Sequence, residues 1–178
     1  MSRQPHVEEL SLLCTEFSLL FVLRRAFFKA IAMDEQTELW EICRQGNLEE
    51  LRNALQAGAD PNSRRLDDTC LMVAVRAQRE EVVDLLLAQP GIEVNAKDGT
   101  NRTAMHWACS SGTVGILSKL LAVPGVLMNN KTKSGRTPVA EAIMSRNPDT
   151  LQLMTTVEEV DLDVRDFSGM SLEDMAYR

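Results

Sequence analysis

A repeat of 34 residues constrains this chain more than any other feature. Thr69, Thr103, Thr137 and Ser171 keep that spacing and open four similar blocks, TCLMVA, TAMHWA, TPVAEA and SLEDMA. The closing alanines, Ala74, Ala108, Ala142 and Ala176, keep the same period. A second marker runs in step: PGIEVN ends at Asn95, PGVLMN at Asn129 and EVDLD at Asp163. Self-similarity on this scale marks supersecondary units that stack on one another. An earlier unit opens at Thr37, 32 residues before Thr69, and reaches GADPN at Asn62, which makes four units and a truncated fifth.

Each block reads as a helix start. A hydroxyl at Thr103, Thr137 or Ser171 caps the first free amides, and Pro138 stands at the first helical position, where a missing N–H costs nothing. In the second unit Leu71, Val73 and Ala74, then Val82, Val83, Leu85 and Leu86, form two apolar stripes at helical spacing on either side of Gln78-Arg79. The unit is therefore a helix, a tight turn and a second helix. Gly46 and Gly112 fall at that turn, where a left-handed residue is needed. Helices of about nine or ten residues do not persist alone in water, so neighbouring units must stabilise one another.

These residues resemble the ankyrin repeats, whose unit reads D-x-x-G-x-T-P-L-H-x-A-A-x-x-G-H, then a second helix and G-A-D-V-N. The third unit is similar nearly throughout, with Asp98, Thr103, His106, Ala108, Gly112, Leu120, Leu121 and Asn129. The fourth keeps Gly135, Thr137, Pro138 and Ala142, and the fifth keeps Asp166, Gly169, Ser171 and Ala176. Asp67 and Asn101 replace the hairpin glycine, and Gln78 and Arg146 replace the inter-helix glycine, which should soften units two and four. The resemblance implies a mainly α fold, an ankyrin-repeat solenoid of stacked helix-turn-helix units joined by β-hairpin-like loops. Its repeats are expected at 34–63, 64–97, 98–131, 132–165 and, in part, 166–178, after an apolar helical extension at 1–33.

The resemblance also implies a function, protein-protein interaction as an adaptor, scaffold or inhibitor, through a concave face and the hairpin tips. Carried over position by position, the partner-binding set is Arg64, Arg65, Asp68, Arg76, Thr100, Arg102, Ser110, Ser111, Lys133, Arg136, Met144, Phe167 and Met170. In a chain of formal charge −7, Arg64, Arg65, Lys97, Arg102, Lys131, Lys133, Arg136 and Arg165 all fall in hairpin segments. Glu49, Glu50, Glu80, Glu81, Asp84, Glu158 and Glu159 fall instead in or after the second helices. A basic ridge of this kind would attract an acidic or phosphorylated protein segment. The bland alternative is that the tips carry Lys and Arg for solvation alone. The net acidity argues against a nucleic-acid partner.

Enzyme chemistry is not expected, and neither is a cofactor. There is no Walker loop, G-x-G-x-x-G, H-E-x-x-H or G-x-S-x-G motif. His6 and His106 are the only histidines, too few for a usual zinc site, and His106 holds the position that ties neighbouring loops in ankyrin repeats. Cys14, Cys43, Cys70 and Cys109 form neither a C-x-x-C pair nor a dense framework, so reduced thiols in a cytoplasmic or nuclear monomer are expected. Trp40 and Trp107 are expected to pack in the core or on the inner face. The Asn101-Arg102-Thr103 sequon is discounted, because Thr103 is also the helix cap.

Residues 10–32 are far more apolar than the repeats and read as one or two amphipathic helices. The simplest role is a cap over the first repeat, with a partner-binding or interfacial membrane helix as the alternative. Acidic residues ahead of it and Arg24, Arg25 and Lys29 near its end count against a signal peptide, and Glu16 and the arginine pair leave too short a run to span a membrane. The fifth unit stops after its first helix, which reads either as an unusual cap or, the expectation preferred, as a piece of a longer chain. The second functional reading is accordingly the targeting domain of a larger enzyme, ubiquitin ligase or channel.

Overall fold

The computed structural model describes residues 38–177. The N-terminal extension, Thr37, His6 and Cys14 lie outside the described residues. Nine helices are present among the described residues, in four pairs and a last single one. The pairs are α1 (Leu39–Gln45) with α2 (Leu48–Gln56), α3 (Cys70–Arg76) with α4 (Glu80–Leu87), α5 (Ala104–Ser111) with α6 (Val114–Leu121), and α7 (Pro138–Met144) with α8 (Pro148–Thr155). The single helix is α9 (Leu172–Ala176). At five to nine residues they are shorter than the sequence suggests, because each pair gives residues to a turn and a loop.

The helices start where the repeat places hydroxyls. Thr69 Oγ1 accepts from the Met72 amide at 3.3 Å, and Ser171 and Asp174 cap each other reciprocally across the start of α9. Thr103 and His106 do the same for α5. Thr137 departs from this: it holds the N-cap backbone position of α7, but its hydroxyl is buried without a hydrogen-bond partner. Pro138 supplies no amide, and Ala140 stands where α5 has His106, so nothing reciprocates. Asn147 caps α8 by accepting from the Asp149 and Thr150 amides.

First helices pack on first helices in chain order, α1 on α3, α3 on α5, α5 on α7 and α7 on α9. Second helices follow suit, with α2 against α4, α4 against α6 and α6 against α8. A first helix thus has neighbours on three sides, and Cys70 through Val75 are all buried. A second helix buries one stripe only, such as Val82, Val83 and Leu86 in α4 or Ile116, Leu117 and Leu120 in α6. Burying one such side chain is worth roughly 1.5–3 kcal/mol. The core is therefore continuous from unit to unit and vanishes if neighbours separate.

Polar residues of the repeat stitch the units together. Asn62 receives the Glu93 amide and donates to Gly91 O, Asn95 receives Leu127 and donates to Gly125 O, and Asn129 receives Asp161 and donates to Glu159 O. Each asparagine clamps the loop one unit further on. His106 does the same between units three and four: its Nε2 donates to Asn130 O at 3.0 Å, at the end of unit three, and lies 3.3 Å from Arg136 O in unit four, while its Nδ1 accepts from the Thr103 amide. Burial pushes its pKa down to about 4, so the imidazole is neutral.

The inter-helix turns are left-handed as expected, at Gly46 and Gly112 but also at Gln78 (φ 56°) and Arg146 (φ 55°). The hairpin of unit two differs from the expectation. Strands β1 (Arg64–Arg65) and β2 (Asp68–Thr69) pair as Arg64 with Thr69 and Arg65 with Asp68, leaving a two-residue turn. The left-handed residue is then Leu66 (φ 55°) and not Asp67. The later tips close over three residues, from Asp98 to Arg102 and from Thr132 to Arg136, with Asn101 or Gly135 left-handed.

Candidate interaction surface

The hairpin tips are tied to one another by backbone. The Lys133 amide donates to Thr100 O at 2.9 Å and the Phe167 amide to Ser134 O at 3.0 Å. Within each tip an aspartate or threonine folds the loop: Asp98 Oδ1 accepts from the Thr100 amide, the Thr100 hydroxyl and the Arg102 amide, and Asp166 Oδ1 accepts the equivalent three from Ser168 and Met170. Partial burial works against ionisation of Asp98, yet these bonds and Trp107 hold its carboxyl below the usual range. Tip side chains therefore stand on a rigid base.

On the first-helix side of units two to four, charges are matched. Arg76 pairs with Asp68, and Arg102 pairs at 3.3 Å with Glu141, whose side chain is only 6% exposed. The indole of Trp107 lies between them, 4.8 Å from the Arg76 guanidinium and 4.7 Å from that of Arg102, and its Nε1 donates to Asp98 Oδ2. Asp68, Arg76, Trp107, Arg102 and Glu141 thus form one stripe across three units. Cation–π contacts of this kind contribute about 0.5–2 kcal/mol each. In unit one the Arg65 guanidinium covers Trp40 at 3.7 Å. Arg64 stands apart, donating to Lys97 O and pairing at 3.2 Å with Glu93.

A second grouping lies between the fourth and fifth tips. Ser134, Arg136, Asp166, Phe167, Ser168 and Met170 line a cleft of about 630 Å³. Phe167 is 72% exposed, Met170 half-buried. The Arg136 Nε is buried and has no hydrogen-bond partner.

Of the other expected contact residues, Lys133 and Thr100 are exposed tip residues joined through backbone, and Met144 is 38% exposed at the end of α7. Ser110 and Ser111 are half-buried, and Ser111 turns its hydroxyl back to Ala108 O. The basic ridge is narrower than the sequence suggests, because Arg64, Arg65 and Arg102 already face an acid or an indole. Sequence reasoning missed Glu141 and the clamping asparagines. The period held the signal for both: Glu141 is Trp107 one repeat on, and Asn95 and Asn129 recur in register.

The thiols of Cys43, Cys70 and Cys109 are free and buried, and burial pushes Cys109 up to about 12, far from a reactive thiolate. Among the described residues no group of three His, Cys, Asp or Glu could hold a metal, and no helix is long and apolar enough to cross a membrane. No curated protein matches the sequence. The family model for ankyrin repeats (many copies) matches residues 71–121, which run from α3 through α6, and identifies that stretch as ankyrin repeat.

Proposed function

We propose that this chain is a protein-protein interaction module, an adaptor, scaffold or inhibitor, that stacks its units into a solenoid and holds an acidic partner on its first-helix face and hairpin tips. Ankyrin repeats in general serve as interaction modules. The observation that carries the reading is the tip-to-tip backbone bonding at Thr100–Lys133 and Ser134–Phe167, which holds exposed side chains at fixed spacing over a buried core. Preorganised side chains bind without a large ordering cost. The free buried thiols support a reducing compartment, cytoplasm or nucleus.

Photocrosslinking tests the proposal. A crosslinker at Lys133 or Ser110 of the full chain should trap one partner in cell extract, whereas the same group at Glu81, on the exposed side of α4, should not. Equal trapping from both sides overturns the assignment of the binding face.

A further inference from the structure

Arg136 is the one-repeat-on counterpart of Arg102, yet its surroundings differ. Arg102 reaches Glu141 in the next unit, and one repeat beyond Glu141 stands Met175, apolar and 4% exposed. Among the described residues the Arg136 guanidinium forms no ion pair, and its Nε–H points to no acceptor. A buried donor left unpaired is unfavourable, so an acceptor arriving there gains a bond that nothing in the chain supplies.

Asp166, the acid that lines the same cleft and feels the Arg136 charge, is not that acceptor. Asp166 turns one carboxylate oxygen into its own loop, where the Ser168 amide and hydroxyl and the Met170 amide hold it, and the Ser168 bonding leads in keeping it ionised. Beside Arg136 stand Phe167, whose ring is largely in solvent, and Met170. The floor cannot drift: a Cβ on Gly135 would meet the Phe167 backbone nitrogen at 2.6 Å, so the two tips are in close contact.

From this we infer that the cleft between the fourth and fifth tips anchors an extended partner segment, which places an aspartate or glutamate carboxylate on Arg136 and a large apolar side chain against Phe167 and Met170. The inference rests on the interaction reading above and names the chemistry of the partner. A planar guanidinium with a free Nε–H suits a carboxylate, which can take two parallel hydrogen bonds from it. The fixed negative charge of Asp166 in the same cleft disfavours a phosphate dianion relative to a monoanion.

The test is a heteronuclear NMR titration of the full chain with blocked peptides of sequence Leu-Glu-Phe-Gly, Leu-Gln-Phe-Gly and Leu-phosphoserine-Phe-Gly. The glutamate peptide should shift the Arg136 Nε–H signal and the Phe167 and Ser168 amides. The glutamine peptide should bind at least about tenfold more weakly, in line with the loss of a charge-assisted bond. The phosphoserine peptide should bind no tighter than the glutamate one. R136Q should lose about tenfold or more in affinity, and F167S several-fold, with the amide signals of α3 to α6 unmoved in both. Should R136Q unfold, R136K keeps the charge, lacks the Nε–H fork, and should still bind more weakly.

Equal binding of the glutamate and glutamine peptides, tighter binding of the phosphoserine peptide, or no shift at the cleft each overturns the anchor. Shifts gathered on Arg65, Arg76 and Arg102 instead would overturn it while leaving the interaction module intact. The module itself fails on the crosslinking result, not on this one.

Discussion

Two arginines one repeat apart, Arg102 and Arg136, meet opposite fates. Arg102 lies against an indole and a buried acid, and its charge serves the scaffold. Arg136 has Met175 where Arg102 has its acid one repeat earlier, shares a cleft with an exposed phenyl ring, and forms no ion pair among the described residues. The backbone before each is held alike: the Asp98 and Thr132 amides donate to Arg102 O and Arg136 O, and the Asn101 and Gly135 amides to Asp98 O and Thr132 O. In a repeat protein, then, whether a basic tip residue belongs to stability or to binding is decided by the residue one period further along.

The sharpest way to break that contrast is a pair of matched variants. R102Q strands Glu141 in a buried site without its cation, and should cost about 3 kcal/mol, the low end for breaking a buried ion pair because Arg102 is itself 28% exposed. R136Q breaks no ion pair and should change stability by less than about 0.5 kcal/mol. Adding E141Q to R102Q should restore most of the loss, because the stranded charge is removed. Urea denaturation of the four proteins reads all of this. Equal costs for R102Q and R136Q would erase the distinction.

His106 extends the contrast to the junctions. Through Arg136 O, 3.3 Å from its Nε2, it bonds unit three to unit four, whereas Ala140, one repeat on, can offer unit five no such bond. Its folded pKa of about 4 lies below the ordinary 6.5, so the unfolded chain binds the extra proton between those values. Stability from this group is complete above about pH 7 and declines as pH falls toward 4. Between pH 7.5 and 5 the loss should be about 2 kcal/mol. H106Q should be less stable at pH 7.5 and should lack that part of the slope. An unchanged slope in H106Q would assign it to other groups.

Much of the scaffold was legible because one-dimensional repetition makes local signals add up. The caps at Thr69, Thr103 and Ser171 and the left-handed turns at Gly46, Gly112, Gln78 and Arg146 all follow from the period. The Arg102–Glu141 pair was not read, since it joins residues 39 apart that match no single repeat motif. Charge counting could not tell matched arginines from open ones, because matching depends on what the next unit places opposite. The left-handed position of the second hairpin was misplaced for a local reason: the Arg65–Asp68 pairing shortens the turn by one residue.

That shortened turn gives a smaller test. Leu66 is 93% exposed and left-handed, a conformation that costs a non-glycine residue about 1 kcal/mol. L66G should therefore stabilise unit two by somewhat less than about 1 kcal/mol, the remainder being offset by glycine's freedom in the unfolded chain. The matching change at the fourth tip, G135A, should destabilise, because Gly135 is left-handed at φ 83° and has the Phe167 backbone against it. Opposite signs at these two tips would show that the first is merely strained and the second closely packed. Thermal melts resolve both, and a stabilised G135A would count against the close contact that floors the cleft.

The smallest expected effect concerns Arg64, the one tip arginine whose acid is well exposed. The Arg64–Glu93 pair spans 3.2 Å with the side chains 40% and 57% exposed. Exposed pairs contribute between nothing and about 1 kcal/mol, screened further by salt. E93Q should thus shift stability by no more than about 0.5 kcal/mol, vanishing at high salt, and free Arg64 for a partner. If E93Q then raises affinity for the glutamate peptide and R136Q removes the gain, Arg64 adds only long-range attraction to a site centred on Arg136. A gain that survives R136Q would instead make Arg64 a second anchor, and availability of charge rather than place in the stack would govern binding.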